Sequence, residues 1–140
     1  MTGQTVAWTP MWWARPANGD SSGNKLFPIN ARSETVTDKP IFSDSFRHRR
    51  CLVPADGFYE WKRTKDNKIP YYFFRNDKKT IFIAAIYDEG QFCMITEEAS
   101  QNILEIHHRQ PVILYEKDIC LLYTSPSPRD LVISRMPSSA

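Results

Sequence analysis

The sequence predicts an α+β domain: a mostly antiparallel, curved β-sheet with short flanking helices. Three observations predict it. The 140 residues hold ten prolines against five glycines, which favours short strands and punctuated loops over long helices. Apolar runs rich in β-branched and aromatic residues recur along the middle of the chain, separated by turn formers. Helical signals are confined to two short stretches, and no internal repeat is present.

The elements follow in order. Residues 5–13 carry three of the four tryptophans, Trp8, Trp12 and Trp13. Residues 15–28 read as loop, dense in Pro, Gly, Ser and Asn. Pro40 opens a short helix in which Ile41, Phe42 and Phe46 share one face. Residues 51–54 and 57–62 read as strands joined by a turn over Pro54, Ala55, Asp56 and Gly57. Residues 71–75 and 81–87 are β-rich runs separated by Asn76, Asp77, Lys78 and Lys79, a hairpin signal, and residues 92–96 add a further strand. A helix is expected over residues 97–106, ended before Pro111, with a last strand over 112–114.

Composition excludes several classes. No apolar run approaches the roughly 20 residues that span a bilayer, and the first ten residues lack the basic start and apolar core of a signal peptide. Cys51, Cys93 and Cys120 are odd in number and far apart, so neither a disulfide framework nor a zinc site is indicated, and a reducing cytoplasm is the default. A net charge of +2 does not by itself imply a nucleic-acid partner. The cluster Arg47, His48, Arg49, Arg50 fits either a solvated face or a phosphate site.

Polar candidates beside apolar strands are Asn30, Arg32, Glu34, Glu60, His107, His108 and Arg109. Glu60, between Tyr59 and Trp61, is either a buried carboxylate with raised proton affinity or the outward member of an alternating strand. His107 and His108 are adjacent and cannot both face one pocket from a regular element. One of them beside Arg109 suits an acid–base group next to a phosphate clamp, or a helix-terminal cation. Cys51 opens an apolar strand and reads as a small buried hydrophobe. The tryptophans, Tyr59 and Trp61 suit either core packing or stacking on unpaired bases.

Three blocks carry a resemblance. Asn-Ala-Arg-Ser-Glu-Thr from Asn30, Arg-Cys-Leu-Val-Pro-Ala-Asp-Gly-Phe-Tyr-Glu-Trp from Arg50, and Ile-His-x-Arg-x-Pro-Val-Ile-Leu from Ile106 occur in this order. With these, residues 5–119 resemble the SRAP family of SOS-response-associated peptidases, or abasic-site processing proteins. The resemblance implies a barrel-like sheet and binding to single-stranded DNA in the DNA damage response. It also implies a cysteine, exposed by autocatalytic removal of the initiator Met, that condenses with the aldehyde of an abasic site into a thiazolidine crosslink. Carried over by motif, Asn30 would hold the nucleophile's α-amine, Glu60 would act as acid/base and His107 would move a proton at the sugar. Arg32 and Arg109 would hold phosphates and Trp13 would contact DNA. No metal or cofactor is implied, and the protein would act as a monomer in the cytoplasm, on the nucleoid when engaged on DNA.

Departures from the pattern are also informative. The chain starts Met1-Thr2-Gly3 where the family starts Met-Cys-Gly-Arg, and the position of the first block implies that an N-terminal segment with the nucleophilic cysteine is missing. On that expectation residues 1–119 form a partial domain without crosslinking activity. Gln110 stands where Met is customary and Glu97 where Thr is usual. Residues 120–140 resemble the conceptual translation of a transposase sequencing adapter followed by a flow-cell primer, and are expected to be a non-native, disordered tail. Two rival functions remain: a non-enzymatic single-strand binding module, and a thiol hydrolase using Cys51 with His48 or His107.

Overall fold

The computed structural model describes residues 7–13, 27–115, 119 and 131–135. The loop expected over residues 15–28 lies almost wholly outside these. So does Cys120. Ten strands and two helices are described: β1 (Trp12–Trp13), β2 (Asn30–Arg32), α1 (Pro40–His48), β3 (Arg50–Ala55), β4 (Gly57–Arg63), β5 (Lys68–Arg75), β6 (Ile81–Asp88), β7 (Gln91–Glu98), α2 (Gln101–Leu104), β8 (Arg109–Pro111), β9 (Ile113–Leu114) and β10 (Leu131–Arg135). The fold is the α+β class expected, and most strand pairs described are antiparallel; β1 and β2 pair with β7 in parallel. The described strands form an open seven-stranded sheet and a three-stranded one, not a closed barrel.

The local signals act as sequence chemistry dictates. Pro40 occupies the first turn of α1, whose end carries Arg47 and His48 against the helix dipole. Phe42 is buried there, with Ile41 and Phe46 packed beside it.

Strand partners differ from the hairpin reading. The runs either side of Asn76–Lys79 do not pair with each other. Instead β4 pairs with β5 from Arg63↔Lys68 to Gly57↔Phe74, and β3 pairs with β6 from Ala55↔Ile81 to Arg50↔Ile86. The four strands are thus the two arms of one long hairpin, closed by the Thr64–Asn67 turn and bent where Asp56 faces the longer excursion between Arg75 and Ile81. The bend assigns β4 and β5, next to the closing turn, to the small sheet and β3 and β6 to the large one. A turn signature marks where strands stop, not which strands they join.

Two further differences follow from pairing. Strand β7 extends to Glu98, because Thr96, Glu97 and Glu98 pair with Pro111, Gln110 and Arg109 of β8; only Gln101–Leu104 remains helical. Leu131–Arg135, expected to be disordered, forms a strand along β5. Its Leu-Val-Ile run has β propensity, and β5 offers a free edge on the side away from β4.

Two clusters make the core. One joins Phe42 of α1 to Ala84, Ile86, Ile95 and Leu114 of the large sheet. The other surrounds Phe73, Ile81, Ile103 and Ile113 where the sheets meet, with Phe58 stacked on Phe73 at 5.0 Å.

Candidate active site

Where the small sheet folds over the large one, a cleft of about 260 Å³ opens at the seam. Asn30 and Arg32 of β2, Glu60 of β4, His107, and Arg109 of β8 all line it. Five of the six residues to which the resemblance gives a role therefore meet in one place, while Glu34 and His108 do not line the cleft. The sixth, Trp13, is not among the cleft residues. It lies on the β7 edge that β2 also uses, stacked on Phe92 at 6.2 Å, with its indole N–H donating to the Ile29 carbonyl at 3.0 Å.

Glu60 faces inward. Along β4, Phe58, Glu60 and Lys62 are half-buried, while Tyr59, Trp61 and Arg63 are exposed. Burial pushes the Glu60 carboxyl above the ordinary carboxylate range; the nearby His107 and a main-chain hydrogen bond at Trp61 pull against this. Its side chain is 25% exposed, and Oε2 lies 3.9 Å from His107 Nδ1.

His107 follows α2, and its main-chain N–H returns to the Ile103 carbonyl. Leaving the helix turns its ring into the cleft while His108 is exposed, the two rings stacking at 4.6 Å. Nδ1 has two partners in one residue: the Arg109 N–H at 3.1 Å and the Arg109 carbonyl oxygen at 3.0 Å. A neutral ring protonated on Nε2 accepts the first; a proton on Nδ1 is donated to the second.

Arg109 belongs to the cleft wall. Its side chain is 12% exposed and forks onto Glu34, with Nη1 at 2.8 Å and Nη2 at 2.9 Å from the two carboxylate oxygens. Nη2 also donates to the Thr96 carbonyl at 2.8 Å and to its hydroxyl at 3.2 Å. The fork holds the Glu34 carboxyl down at about 2. Arg32, by contrast, is exposed at the rim.

Glu34 and Thr96 are the residues whose roles sequence reasoning missed. Glu34 carried a signal, its place in the first block, but nothing in the sequence names a partner 75 positions away. The two departures Glu97 and Gln110 touch each other: the Gln110 amide donates to Glu97 at 3.2 Å and accepts the Ser100 N–H at 2.7 Å.

Cys51 and Cys93 stand apart from this chemistry. Burial pushes their thiols up to about 11 and about 12, so neither is a thiolate at neutral pH, and the thiol-hydrolase reading fails on that count.

A half-buried carboxyl, an imidazole, an amide and a rim cation define the class: a curved-sheet α+β protein with a polar cleft at its seam. A profile of the family described as SOS response associated peptidase (SRAP) matches residues 2–130, and the chain belongs to that family. It is 34% identical to the abasic site processing protein YedK of Escherichia coli, over 76% of this chain and 47% of that protein. It is 36% identical to the abasic site processing protein YoaM of Bacillus subtilis, over 75% of this chain and 48% of that one. The chain thus spans about half the length of these bacterial relatives. A crystal structure of a Bacteroides thetaiotaomicron protein superposes with a TM-score of 0.68 at 26% identity, covering 78% of this chain and 58% of that one. Among the described residues no helix is long and apolar enough to cross a membrane.

Proposed function

We propose that this chain carries the acid–base cleft of an abasic-site processing protein that acts on single-stranded DNA. One observation carries the reading: Glu60 lies 3.9 Å from His107 in a cleft that Asn30 and Arg32 also line. The nucleophile is an N-terminal cysteine. Cys51 and Cys93 are internal, have no α-amine and are protonated.

The cysteine α-amine adds to the aldehyde carbon of the ring-opened abasic sugar. Asn30 holds the amine, and Glu60 supplies the proton with which the hydroxyl of the adduct leaves as water, giving an imine. The thiol then adds to the imine carbon, its proton ends on nitrogen, and a thiazolidine closes. His107 moves the proton that opens the sugar. Arg32 holds a phosphate at the rim and Arg109 supplies a second positive charge from the wall. Glu60 serves the same acid–base role in hydrolytic removal of the initiator Met. The protein works as a monomer, in the cytoplasm and on the nucleoid when engaged on DNA.

The test joins the family's Met-Cys-Gly-Arg segment to the chain and incubates it with labelled single-stranded DNA bearing one abasic site. A band that survives a denaturing gel, formed about 10²-fold more slowly by E60A, is the expected result. Equal rates for E60A overturn the role of Glu60. A second reading rests on the exposed rings of Trp8, Trp12, Tyr59 and Trp61, which suit base stacking without covalent chemistry. Binding that weakens steeply with salt, without a denaturant-stable band, would establish it.

A further inference from the structure

Arg109 is the first residue of β8, where the ladder to β7 only begins. The strand alone gives its main chain little support, yet both main-chain polar groups of that residue sit against one ring nitrogen of His107. What anchors the residue is its side chain. Nη2 is tied to Thr96 of β7, and both Nη atoms are tied to Glu34 in the turn that follows β2. The remaining nitrogen, Nε, is buried without a hydrogen-bond partner, so the whole hold is exerted through the Nη edge.

We infer that Glu34 is a positioning residue: by clamping the Arg109 guanidinium it fixes the main chain of residue 109 against His107 and so decides which ring nitrogen carries the proton. The inference rests on the reading of His107 as the group that moves a proton. Residue 109 offers Nδ1 its N–H at 3.1 Å and its carbonyl oxygen at 3.0 Å, two groups on successive peptide planes, so a small rotation about the backbone bonds between them trades one hydrogen bond for the other. With the clamp closed, the Arg109 N–H donates to Nδ1 and the neutral ring keeps its proton on Nε2. With the clamp open, the main chain at residue 109 rotates, Nδ1–H donates to the Arg109 carbonyl, and Glu60 Oε2 becomes the next acceptor in reach at 3.9 Å. The tautomer determines whether Nε2 or Nδ1 can take a proton during the reaction. Glu34 thus acts on the chemistry without lining the cleft.

The test is two-bond proton–nitrogen correlation of the imidazole rings in the full chain, at a pH where the rings are neutral. In the wild type His107 should show one neutral tautomer, protonated on Nε2. E34Q should raise the population protonated on Nδ1 severalfold, moving the Nδ1 resonance toward the protonated range. R109K should do the same, because it keeps the charge and loses the fork. His48, exposed on α1, serves as the internal reference that does not move. Should E34Q fail to fold, R109K decides alone. An unchanged His107 spectrum in a folded E34Q or R109K protein overturns the inference. The spectrum needs no DNA, so absence of crosslinking leaves this result standing, and an unchanged spectrum leaves the role of Glu60 untouched.

Discussion

Glu60 and His107 approach each other to 3.9 Å from opposite sides of a seam, one on the small sheet and the other at the entrance to a strand of the large sheet. Neither belongs to the other's sheet, so their pairing reports how the two sheets are held together. The site is a property of the bend in the long hairpin as much as of its residues.

The buried acid makes stability depend on pH in a known direction. Burial raises the Glu60 pKa, so the folded protein holds that proton more tightly than the unfolded chain does. Its contribution to stability is greatest in acid and declines as pH rises through the elevated pKa. E60Q keeps the shape and removes the charge. Urea titrations at neutral pH should find E60Q equal to or more stable than wild type, by on the order of 1 kcal/mol. A less stable E60Q would mean that the ionised carboxylate is bound more favourably than its burial implies.

Glu34 has the opposite sign. Its carboxyl is held at about 2 against the ordinary 4.5 by Arg109, so stability present above 4.5 is lost as pH falls toward 2. The Glu34 side chain is 46% exposed, and solvent screening leaves less than about 1 kcal/mol of this. Acid titration followed by circular dichroism should show a shallower loss of stability in E34Q than in wild type across that window. Parallel curves would show that the pair is fully screened.

Gly57 begins β4 just beyond the bend, opposite Phe74. A Cβ there would overlap the Phe73 carbonyl oxygen and stand 2.7 Å from the Tyr72 ring. The carbonyl is main chain in a paired strand and cannot move aside. G57A should therefore cost about 1–3 kcal/mol in a urea melt and shift Glu60, which follows three residues on. A silent G57A would show that the bend has room to shift.

Gln110 and Glu97 replace the customary Met and Thr together, and they are hydrogen-bonded at 3.2 Å. Gln110 is almost completely buried. Q110M alone strips partners from the Ser100 N–H and the half-buried Glu97 carboxyl, and should cost about 1–3 kcal/mol. Adding E97T should recover part of the loss, with a coupling of about 0.5–3 kcal/mol in a double-mutant cycle. Strictly additive costs would show the contact to be energetically idle.

What the sequence disclosed and what it hid divides along the range of the interaction. Strand cores such as 51–54 and 81–87 were legible because β-branched and aromatic runs are local, and α1 was legible from Pro40 and its apolar face. Partners were hidden. Asp56 and Asn76–Lys79 interrupt the chain as ordinary turns do, and only the register shows that they face each other across a bend. The helix expected from residue 97 yielded to β8, because three ladder pairs outweigh the local propensity of an acidic first turn. Glu60 and His107 were legible as residue types in their motifs, whereas the Glu34 clamp on Arg109 depends on tertiary contact alone.

The long bent hairpin also imposes an order of events on folding. Its closing turn, with the Thr64 and Asn67 main chains joined, brings together neighbours in sequence and incurs little loop entropy. From there the arms can zip, β4 onto β5 first and β3 onto β6 afterwards. The β2, β7 and β8 edge must wait for contacts between distant parts of the chain. Pulse-labelled hydrogen exchange should accordingly protect β4 and β5 amides before those of β8; simultaneous protection would show a single concerted step. An immature chain then carries the Glu60 carboxyl on a finished arm while the seat of the His107 imidazole is still unmade, so the two groups meet only at the last stage of folding.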